Sequence, residues 1–404
     1  MLLRISYCGD HKPSYSFYIS AERVYVLGRS KLNIAIYSVL NLRNGAGGEM
    51  WITNVAPRLH DLGHEIIVFT SKYGQQNNME ITSKMLRAGV KIHEFDNHTI
   101  PFKVPTISSV KHILKVLKDT SVDVIYFNNA FALNEVLVYL LKTKSKIKVI
   151  SGHHGTFPEA GNIGRRFYHR VVNRNINRRF DANHVLNQER EAILKSWGYK
   201  NVYRIPYGID TNELRPGTKN NTFTVMFVGG MLYQKGIDRL SRLIELLNNA
   251  KSHTDIKFLI FGSGPLSHIA ENLSEKFKNV EYNGYAYPEQ LAIAYRRSHL
   301  FVFPSRFEEG PLVVREALAS GTPVVASNIL GPREMVKNGI NGFVVDSSTE
   351  EEMAKPILML SDLWYNKREE YEKYCLNARE SMLGCDWSIV VTKIDQMLKE
   401  IVNQ

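Results

Sequence analysis

Two glutamates and a helix start stand close together in the second half of the chain. Glu308 and Glu316 are separated by seven residues, and Pro311 between them suits the first turn of a helix, where its missing N–H costs nothing. The backbone N–H groups of Leu312 and Val313 would then point out of the helix N-terminus, a favourable place for a diphosphate. Glu316 can accept two hydrogen bonds from a ribose diol, whereas Glu308 projects from the loop toward sugar hydroxyls. The pattern predicts a site for a nucleotide-diphosphate sugar.

Glycine-containing turns follow two predicted strands in the same half of the chain. Gly229 and Gly230 would let the backbone approach a ligand closely, and Lys235 would offer a positive charge to the diphosphate. A charge-assisted contact of this kind contributes about 1.5–3 kcal/mol. Gly262 and Gly264 form a second turn, which lacks the third glycine and the acidic residue of a dinucleotide fingerprint. We interpret it as a strand-to-helix turn beside a nucleotide.

Short apolar runs alternate with amphipathic helical patterns along the chain, as is typical of parallel α/β sheets. In such sheets ligands bind at the carboxyl ends of the strands. We therefore expect two doubly wound, Rossmann-like parallel-sheet domains that face each other across a cleft. The predicted strands are Asn33–Ser38, Glu65–Thr70, Lys91–Phe95, Val124–Asn128, Lys148–Gly152, Ala182–Leu186, Thr224–Val228, Lys257–Phe261, Val280–Tyr282, Leu300–Phe303, Val324–Ala326 and Phe343–Val345. Helices are predicted at 49–62, 235–249 and 311–320, among other places.

A change of composition marks the expected domain boundary. The segment 207–221 is rich in Gly, Pro, Asn and Thr and has no clear period, so we interpret it as a linker. It would join an N-terminal, acceptor-side domain over 31–206 to a C-terminal, nucleotide-sugar-binding domain over 222–386. We expect 387–404 to form a C-terminal helix that returns to the N-terminal domain. Residues 1–30 precede the first predicted strand and are an extension without an assigned role.

The chain of 404 residues carries a formal net charge of +11. This excess favours anionic partners, although no nucleic-acid-binding module is recognisable, and we expect no nucleic-acid partner. No apolar run is long enough to span a bilayer, and the N-terminus lacks the layout of a signal peptide. Three cysteines are too few and too scattered for a disulfide framework or a metal cluster. These features favour a location in the reducing cytosol.

The segment Phe303 to Ala326 resembles the signature of glycosyltransferase family 4, in which two glutamates are separated by seven residues. Glu308 and Glu316 fit that spacing, whereas Glu309 is one place off. The resemblance implies the GT-B fold and transfer from a nucleotide sugar with retention of configuration. It extends from about residue 32 to the C-terminus, and further similar segments are 44–49, 62–66, 205–210 and 331–345.

The resemblance also implies roles for individual residues. One histidine of the pair His153 and His154 would stand near the reacting sugar. The Ser-x-His spacing favours His153, but the sequence leaves the choice open. The turn that contains Tyr285 would lie along the base. The signature loop, which joins the predicted strand ending at Phe303 to the predicted helix beginning at Pro311, would add Gly310 to the donor site. Gly47, Gly48 and Glu49 would lie on the acceptor or diphosphate side.

Three positions depart from the family pattern. Gly230 stands where the family has arginine, so one half of the expected cationic clamp is missing. Either another residue such as Arg306 replaces it, or donor binding is weaker. Tyr207 stands where asparagine is common, and Tyr126-Phe-Asn-Asn129 stands at the end of a predicted strand, where the family often has histidine.

A basic stripe lies in a segment without acidic residues, 160–180. Arg166, Arg170, Arg174 and Arg178 recur every four residues, roughly opposite an apolar stripe on a predicted helix. One interpretation is a helix whose basic face is solvated. The other is contact with an anionic membrane surface or a lipid-diphosphate acceptor.

The expected activity is therefore transfer of a sugar from a nucleotide-diphosphate sugar to a glycan, polyprenyl-linked or lipid acceptor, at the cytoplasmic face of a membrane. Glu308 and one of the two histidines would act at the reacting sugar. No Asp-x-Asp motif follows a strand, so we expect neither a metal nor another cofactor. Alternatives are a GT-B sugar phosphorylase, a nucleotide-sugar epimerase, and a sugar-nucleotide-binding protein without turnover.

Overall fold

The structure is a computed structural model. It describes residues 31–44, 47–72, 79–98, 104–128, 134, 139, 142, 146–154, 167–168, 171, 173–249, 255–346 and 349–404. The N-terminal extension 1–30 lies outside the described residues.

The first domain is built on a parallel sheet that has seven strands within the described residues, in the order β3-β2-β1-β4-β5-β6-β7. The inner strands are buried on both faces, which is why they read as continuous apolar runs in the sequence. The strands are β1 (Asn33–Ser38), β2 (Glu65–Ser71), β3 (Lys91–Phe95), β4 (Val124–Asn128), β5 (Lys148–His153), β6 (Ala182–Val185) and β7 (Val202–Arg204). The described helices are α1 (Gly47–Asp61), α2 (Met79–Arg87), α3 (Ile107–Asp119), α4 (Arg174–Asn177) and α5 (Gln188–Ser196).

The second domain has a parallel sheet of six strands, counted over the described residues, in the order β10-β9-β8-β11-β12-β13. The strands are β8 (Phe223–Val228), β9 (Ile256–Phe261), β10 (Val280–Tyr282), β11 (Leu300–Phe303), β12 (Val324–Ser327) and β13 (Gly342–Val345). The helices are α6 (Ile237–Asn249), α7 (Ser267–Lys276), α8 (Pro288–Arg297), α9 (Leu312–Ala319), α10 (Leu330–Met335), α11 (Glu350–Asn366), α12 (Arg368–Leu383) and α13 (Trp387–Asn403).

In both sheets the strand order reverses beside the first strand, so the expectation of two doubly wound parallel sheets is confirmed. Every predicted strand is present, and β7 is an additional short edge strand. Three helix starts differ from expectation. The helix α1, expected from residue 49, begins at Gly47. The helix expected from Lys235 begins at Ile237, after a 3-10 turn that Gly236 closes at a φ of 77°. Pro311, expected within the first turn, is the residue before α9.

The chain passes between the domains twice, and the two passages are hydrogen bonded to each other. The Ile209 N–H donates to the Cys385 carbonyl at 2.9 Å, and the Trp387 N–H donates to the Ile209 carbonyl at 3.1 Å. The Trp387 ring packs so closely on Gly208 that a Cβ at Gly208 would clash with it. The contact between the two passages thus requires a residue without a side chain at position 208.

The last helix belongs to the hydrophobic core of the first domain. Apolar residues of α13, among them Ile394 and Ile401, pack in the same cluster as Trp51 and Leu59 of α1. Buried His64 adds a polar contact, since its Nε2 lies 2.9 Å from Asp395 Oδ1. No helix in the described part of the chain combines the length and the apolar character that a bilayer crossing requires.

Candidate active site

Two glycine turns of the second domain lie side by side at the carboxyl ends of β8 and β9. The Gly229 N–H donates to the Phe261 carbonyl at 3.1 Å. Gly262 has a φ of 128°, and a Cβ there would collide with the Gly229 carbonyl. Gly264 is similarly close to the backbone of Met231. Packing of one turn on the other therefore explains these glycines, in addition to any approach of a ligand.

The ammonium group of Lys235 meets the carboxylate of Glu308 where these turns face the signature loop. Both side chains remain about a quarter exposed, at 28% and 24%, so the pair is accessible from the cleft. The predicted cation and the first predicted glutamate are thus brought together across 73 residues of chain.

Arg306 does not join this pair. Its guanidinium makes two hydrogen bonds to Asp238, at 2.7 and 2.6 Å, and lies 3.6 Å above the Tyr233 ring. The bond to Asp238 raises the pKa of Arg306 further. Arg306 is therefore held by its hydrogen bonds to α6, and it is poorly placed to replace the arginine that the family has at position 230.

Glu316 lies half-buried in α9, with Leu312 and Val313 in the turn before it. One carboxylate oxygen accepts a hydrogen bond of 2.9 Å from the Tyr295 hydroxyl. Burial raises the pKa of Glu316, and the Tyr295 bond partly opposes that shift. The nearby turn that carries Tyr285 is tied to the second glycine turn, because the Gly262 N–H donates to the Gly284 carbonyl at 2.7 Å.

The signature loop also forms a buried ion pair between the domains. Arg190 of α5 donates to Glu309 at 2.7 Å, and their side chains are only 1% and 2% exposed. Asn187 donates to the Glu309 carbonyl at 3.2 Å, and the Gln188 N–H donates to the Glu334 carboxylate. Glu309 therefore anchors the loop to the first domain, while its neighbour Glu308 faces Lys235.

At the other side of the cleft, α1 begins at Gly47 and carries buried Glu49 in its first turn. Asn128, at the end of β4, donates to the Gly48 carbonyl at 3.1 Å. The Tyr207 ring packs beside Gly47 and beside Gly310 of the signature loop. The structure thus brings the first-domain glycines and the signature loop to one place, with Tyr207 between them.

The two histidines at the end of β5, His153 as its last residue and His154 directly after it, have different surroundings. His153 Nε2 lies 3.0 Å from Asn183 Oδ1, and the ring packs on Tyr199. His154 Nδ1 lies 3.2 Å from the Tyr207 hydroxyl. Burial lowers the pKa of His153 to about 4 and that of His154 well below its ordinary value. Both rings are therefore neutral at pH 7, and His154 is the one connected to the cleft.

The basic stripe is only partly visible. Arg166 and Arg170 lie outside the described residues. Arg174 is half-buried over the Trp197 ring, 5.2 Å from its centre, whereas Arg178 is exposed. Among the described residues, no three His, Cys, Asp or Glu side chains are grouped so that they could hold a metal ion.

Two protein-family models match adjoining parts of the chain. The model described as Glycosyltransferase Family 4 matches residues 45–213, and the model described as Glycosyl transferases group 1 matches residues 209–380. This protein is a family 4-type glycosyltransferase. The resemblance expected from its signature is thereby confirmed.

Two similar proteins are GDP-mannose-dependent alpha-mannosyltransferases. The one from Mycobacterium tuberculosis is 24% identical over 384 residues, which cover 90% of this glycosyltransferase and 95% of the relative. The one from Corynebacterium glutamicum is 25% identical over 220 residues, and this match spans only 52% of this chain and 50% of the relative. Among solved structures, an Anabaena protein in complex with UDP superposes with a TM-score of 0.72 at 17% identity, over 91% of this chain and 100% of that one. The predicted GT-B fold is confirmed.

Sequence reasoning assigns no role to three residues of this glycosyltransferase that the structure places beside the candidate site. Arg190 gives no local signal, because its partner Glu309 lies 119 residues away. Tyr207 stands where asparagine is common in the family, and that departure was the available signal. Asn128 is the last residue of a buried strand, and that position at the carboxyl edge of the sheet was the available signal.

Proposed function

We propose that this glycosyltransferase moves a hexose, with retention of configuration, from a nucleotide-diphosphate sugar to a glycan or lipid-linked acceptor. The observation that carries the proposal is the contact between Lys235 and Glu308 beside the start of α9. A cation, a helix N-terminus and a partly exposed carboxylate there match the phosphates and the hydroxyls of such a donor.

The roles of the residues follow from their positions. Lys235 and the N-terminus of α9 stabilise the negative charge of the departing diphosphate. Glu308, released from Lys235 by the phosphates, holds hydroxyls of the sugar, and Glu316 holds the ribose. The bond from the anomeric carbon to the diphosphate oxygen breaks while the acceptor oxygen bonds on the same face. The acceptor proton passes to the diphosphate, so no protein nucleophile takes part.

We further propose that transfer proceeds without a divalent ion, because Lys235 and the helix dipole supply the positive charge that a metal would otherwise give. For the histidine near the sugar we propose His154. Its contact with Tyr207, which packs between Gly47 and Gly310, supports this choice over His153, whose imidazole is directed to Asn183.

The acceptor is proposed to be presented at the cytoplasmic face of a membrane. The net charge of +11 supports attraction to an anionic surface, and exposed Arg178 is one cation available for it. The contact of Arg174 with Trp197 weakens the stripe as a membrane contact, because its guanidinium is already stacked on protein.

One rival is favoured by a specific observation. The family clamp has an arginine beside the lysine, but residue 230 is glycine here, and Arg306 is hydrogen bonded to Asp238. Neither position therefore supplies Lys235 with the second cation of the clamp. A protein that binds the sugar nucleotide without turnover would need less charge stabilisation than an enzyme. A phosphorylase or an epimerase shares the architecture and differs in its products.

A product analysis separates these functions. The purified protein is incubated with GDP-mannose and with UDP-sugars, with and without lipid-linked and glycan acceptors, and products are analysed by mass spectrometry and by the anomeric coupling in proton NMR. We expect a glycoside with the anomeric configuration of the donor. Glu308→Gln should abolish it, whereas Glu289→Gln, an exposed glutamate on α8, serves as the matched control. Inverted product refutes retention, and tight donor binding without any product establishes the non-catalytic rival.

A further inference from the structure

A line of hydrogen bonds runs from the interior of the first domain to the domain junction. His184 Nε2 lies 2.7 Å from the Ile205 carbonyl oxygen, and His184 Nδ1 lies 2.5 Å from the Tyr126 hydroxyl. The same hydroxyl lies 2.8 Å from His154 Nε2, and His154 Nδ1 lies 3.2 Å from the Tyr207 hydroxyl. Two histidines and two tyrosines are therefore linked in series, and the series ends at the linker between the domains.

The chemistry of these groups fixes where each proton lies. A carbonyl only accepts, so His184 Nε2 donates, and in the neutral ring His184 Nδ1 is then an acceptor. The Tyr126 hydroxyl donates its only proton to His184 Nδ1. The Tyr126 oxygen must therefore accept a hydrogen bond from His154 Nε2. His154 Nδ1 is left without a proton and accepts from the Tyr207 hydroxyl. Burial, which lowers the pKa of both histidines, favours the neutral rings that this order requires.

A second contact leads to the same assignment. His154 Nε2 also lies 3.3 Å from His184 Nδ1, which is an acceptor in this order. Whichever of the two acceptors it favours, His154 Nε2 carries the proton. Both nitrogens of the His154 ring are therefore engaged inside the protein.

Tyr207 occupies a position that belongs to both domains. A Cβ added to Gly47 of the first domain would lie 3.9 Å from the Tyr207 ring, and one added to Gly310 of the second domain would lie 3.5 Å from it. Burial, together with the nearby charge of Glu308, raises the pKa of Tyr207 well above its ordinary value, so the hydroxyl keeps its proton.

We propose that Tyr207 is a positioning residue for sugar transfer, whose hydroxyl donates to His154 Nδ1 and so holds the neutral, Nε2-protonated ring in a fixed orientation beside the reacting sugar. This proposal rests on the proposed function and deepens it. The residue that departs from the asparagine common in the family thereby joins the domain junction to the active site. His154 shapes the sugar site and takes no proton from the acceptor.

The test is removal of the hydroxyl alone, in Tyr207→Phe of the full chain. One hydrogen bond of this kind is lost, so we expect kcat to fall about tenfold. The KM for the donor should stay within about twofold, because Glu316 and the start of α9 bind the nucleotide elsewhere. Tyr203→Phe is the matched control: it loses a hydroxyl that donates to Glu400 at 3.0 Å, on the side of α13, and should leave kcat unchanged.

Nitrogen-15 NMR of labelled histidines reports the protonation and hydrogen bonding of each ring nitrogen. A purely structural role of Tyr207, without the hydrogen bond to His154, would leave the His154 signals unchanged in Tyr207→Phe. The His154 signals are assigned by their loss in His154→Gln. In the parent protein Nδ1 should appear unprotonated and Nε2 protonated. Tyr207→Phe should shift the His154 Nδ1 signal, because that nitrogen loses its hydrogen-bond donor, while Nε2 keeps its proton.

Each outcome bears on the proposal. The opposite tautomer in the parent protein overturns it, whether or not the variant folds. Parental kcat in Tyr207→Phe overturns it as well, and so does a reduced kcat with an unaltered His154 Nδ1 signal. If the parent protein transfers no sugar at all, the proposed function fails, while the NMR measurement still decides the hydrogen-bond series.

Discussion

The buried ion pair between the domains makes a quantitative prediction. Glu309→Leu removes the carboxylate that Arg190 contacts at 2.7 Å, where both side chains are almost fully buried. Breaking such a pair from one side costs about 3–5 kcal/mol, because the remaining charge stays in a medium of low polarity. Proteins are stable by only about 5–15 kcal/mol, so this loss is a large fraction of the total. Chemical unfolding followed by tryptophan fluorescence should reveal it as a lower transition midpoint.

A double-mutant cycle shows whether the pair itself is responsible. Arg190→Met should destabilise by a similar amount, and the double variant with Glu309→Leu should recover most of the loss, since two apolar side chains replace two buried charges. The exposed pair of Lys257 and Glu281, 43% and 49% exposed at 2.7 Å, is the control, and its disruption should cost at most about 1 kcal/mol. Additive losses in the buried cycle, or a single-variant loss as small as the control, would refute this reasoning.

Three further predictions concern the donor, the metal and the membrane. Glu316→Ala should weaken donor binding in calorimetry while the fold survives, and unchanged affinity in a folded variant rules out the ribose contact. In the parent protein, donor affinity should fall as the pH drops toward the raised pKa of Glu316, because the protonated acid loses acceptor capacity. Transfer should persist in excess chelator, and complete loss that magnesium or manganese restores would contradict the metal-free mechanism. The protein should co-sediment with anionic but not neutral vesicles, less at 1 M salt, where the Debye length is about 3 Å. Arg178→Ser should reduce this binding, whereas equal sedimentation of variant and parent removes Arg178 from the membrane contact.

The fold could be predicted from the sequence because buried parallel strands are short apolar runs between helical patterns. Strands such as β1, β4 and β11 have the predicted bounds. The strand β7 was missed, since Val202–Arg204 is only three residues long and lies partly exposed at the sheet edge. The start of α6 was misplaced because Lys235 fits a helical pattern, whereas the αL conformation of Gly236 separates it from the helix.

The candidate site was predictable where one continuous segment encodes it. Glu308, Glu316 and the helix between them lie in one segment that resembles the family signature, and the helix begins one residue later than expected. The ion pair of Arg190 with Glu309 was not, because residues 119 apart in sequence meet only through the packing of two domains. Hydrophobic periodicity also does not distinguish the environments of adjacent side chains such as His153 and His154, because those environments are formed by residues of neighbouring strands and loops.

The packing of α13 against α1 makes the first domain discontinuous in the chain. A protein cut within the linker would yield an N-terminal fragment that lacks the apolar face supplied by Val390, Ile394 and Ile401. Its partner fragment would carry that same face with nothing of its own to cover it. Exchange of donor-binding halves between related enzymes must therefore leave residues 387–403 with the first domain. A chimaera joined at a single point inherits a mismatched core, however well its active site is matched.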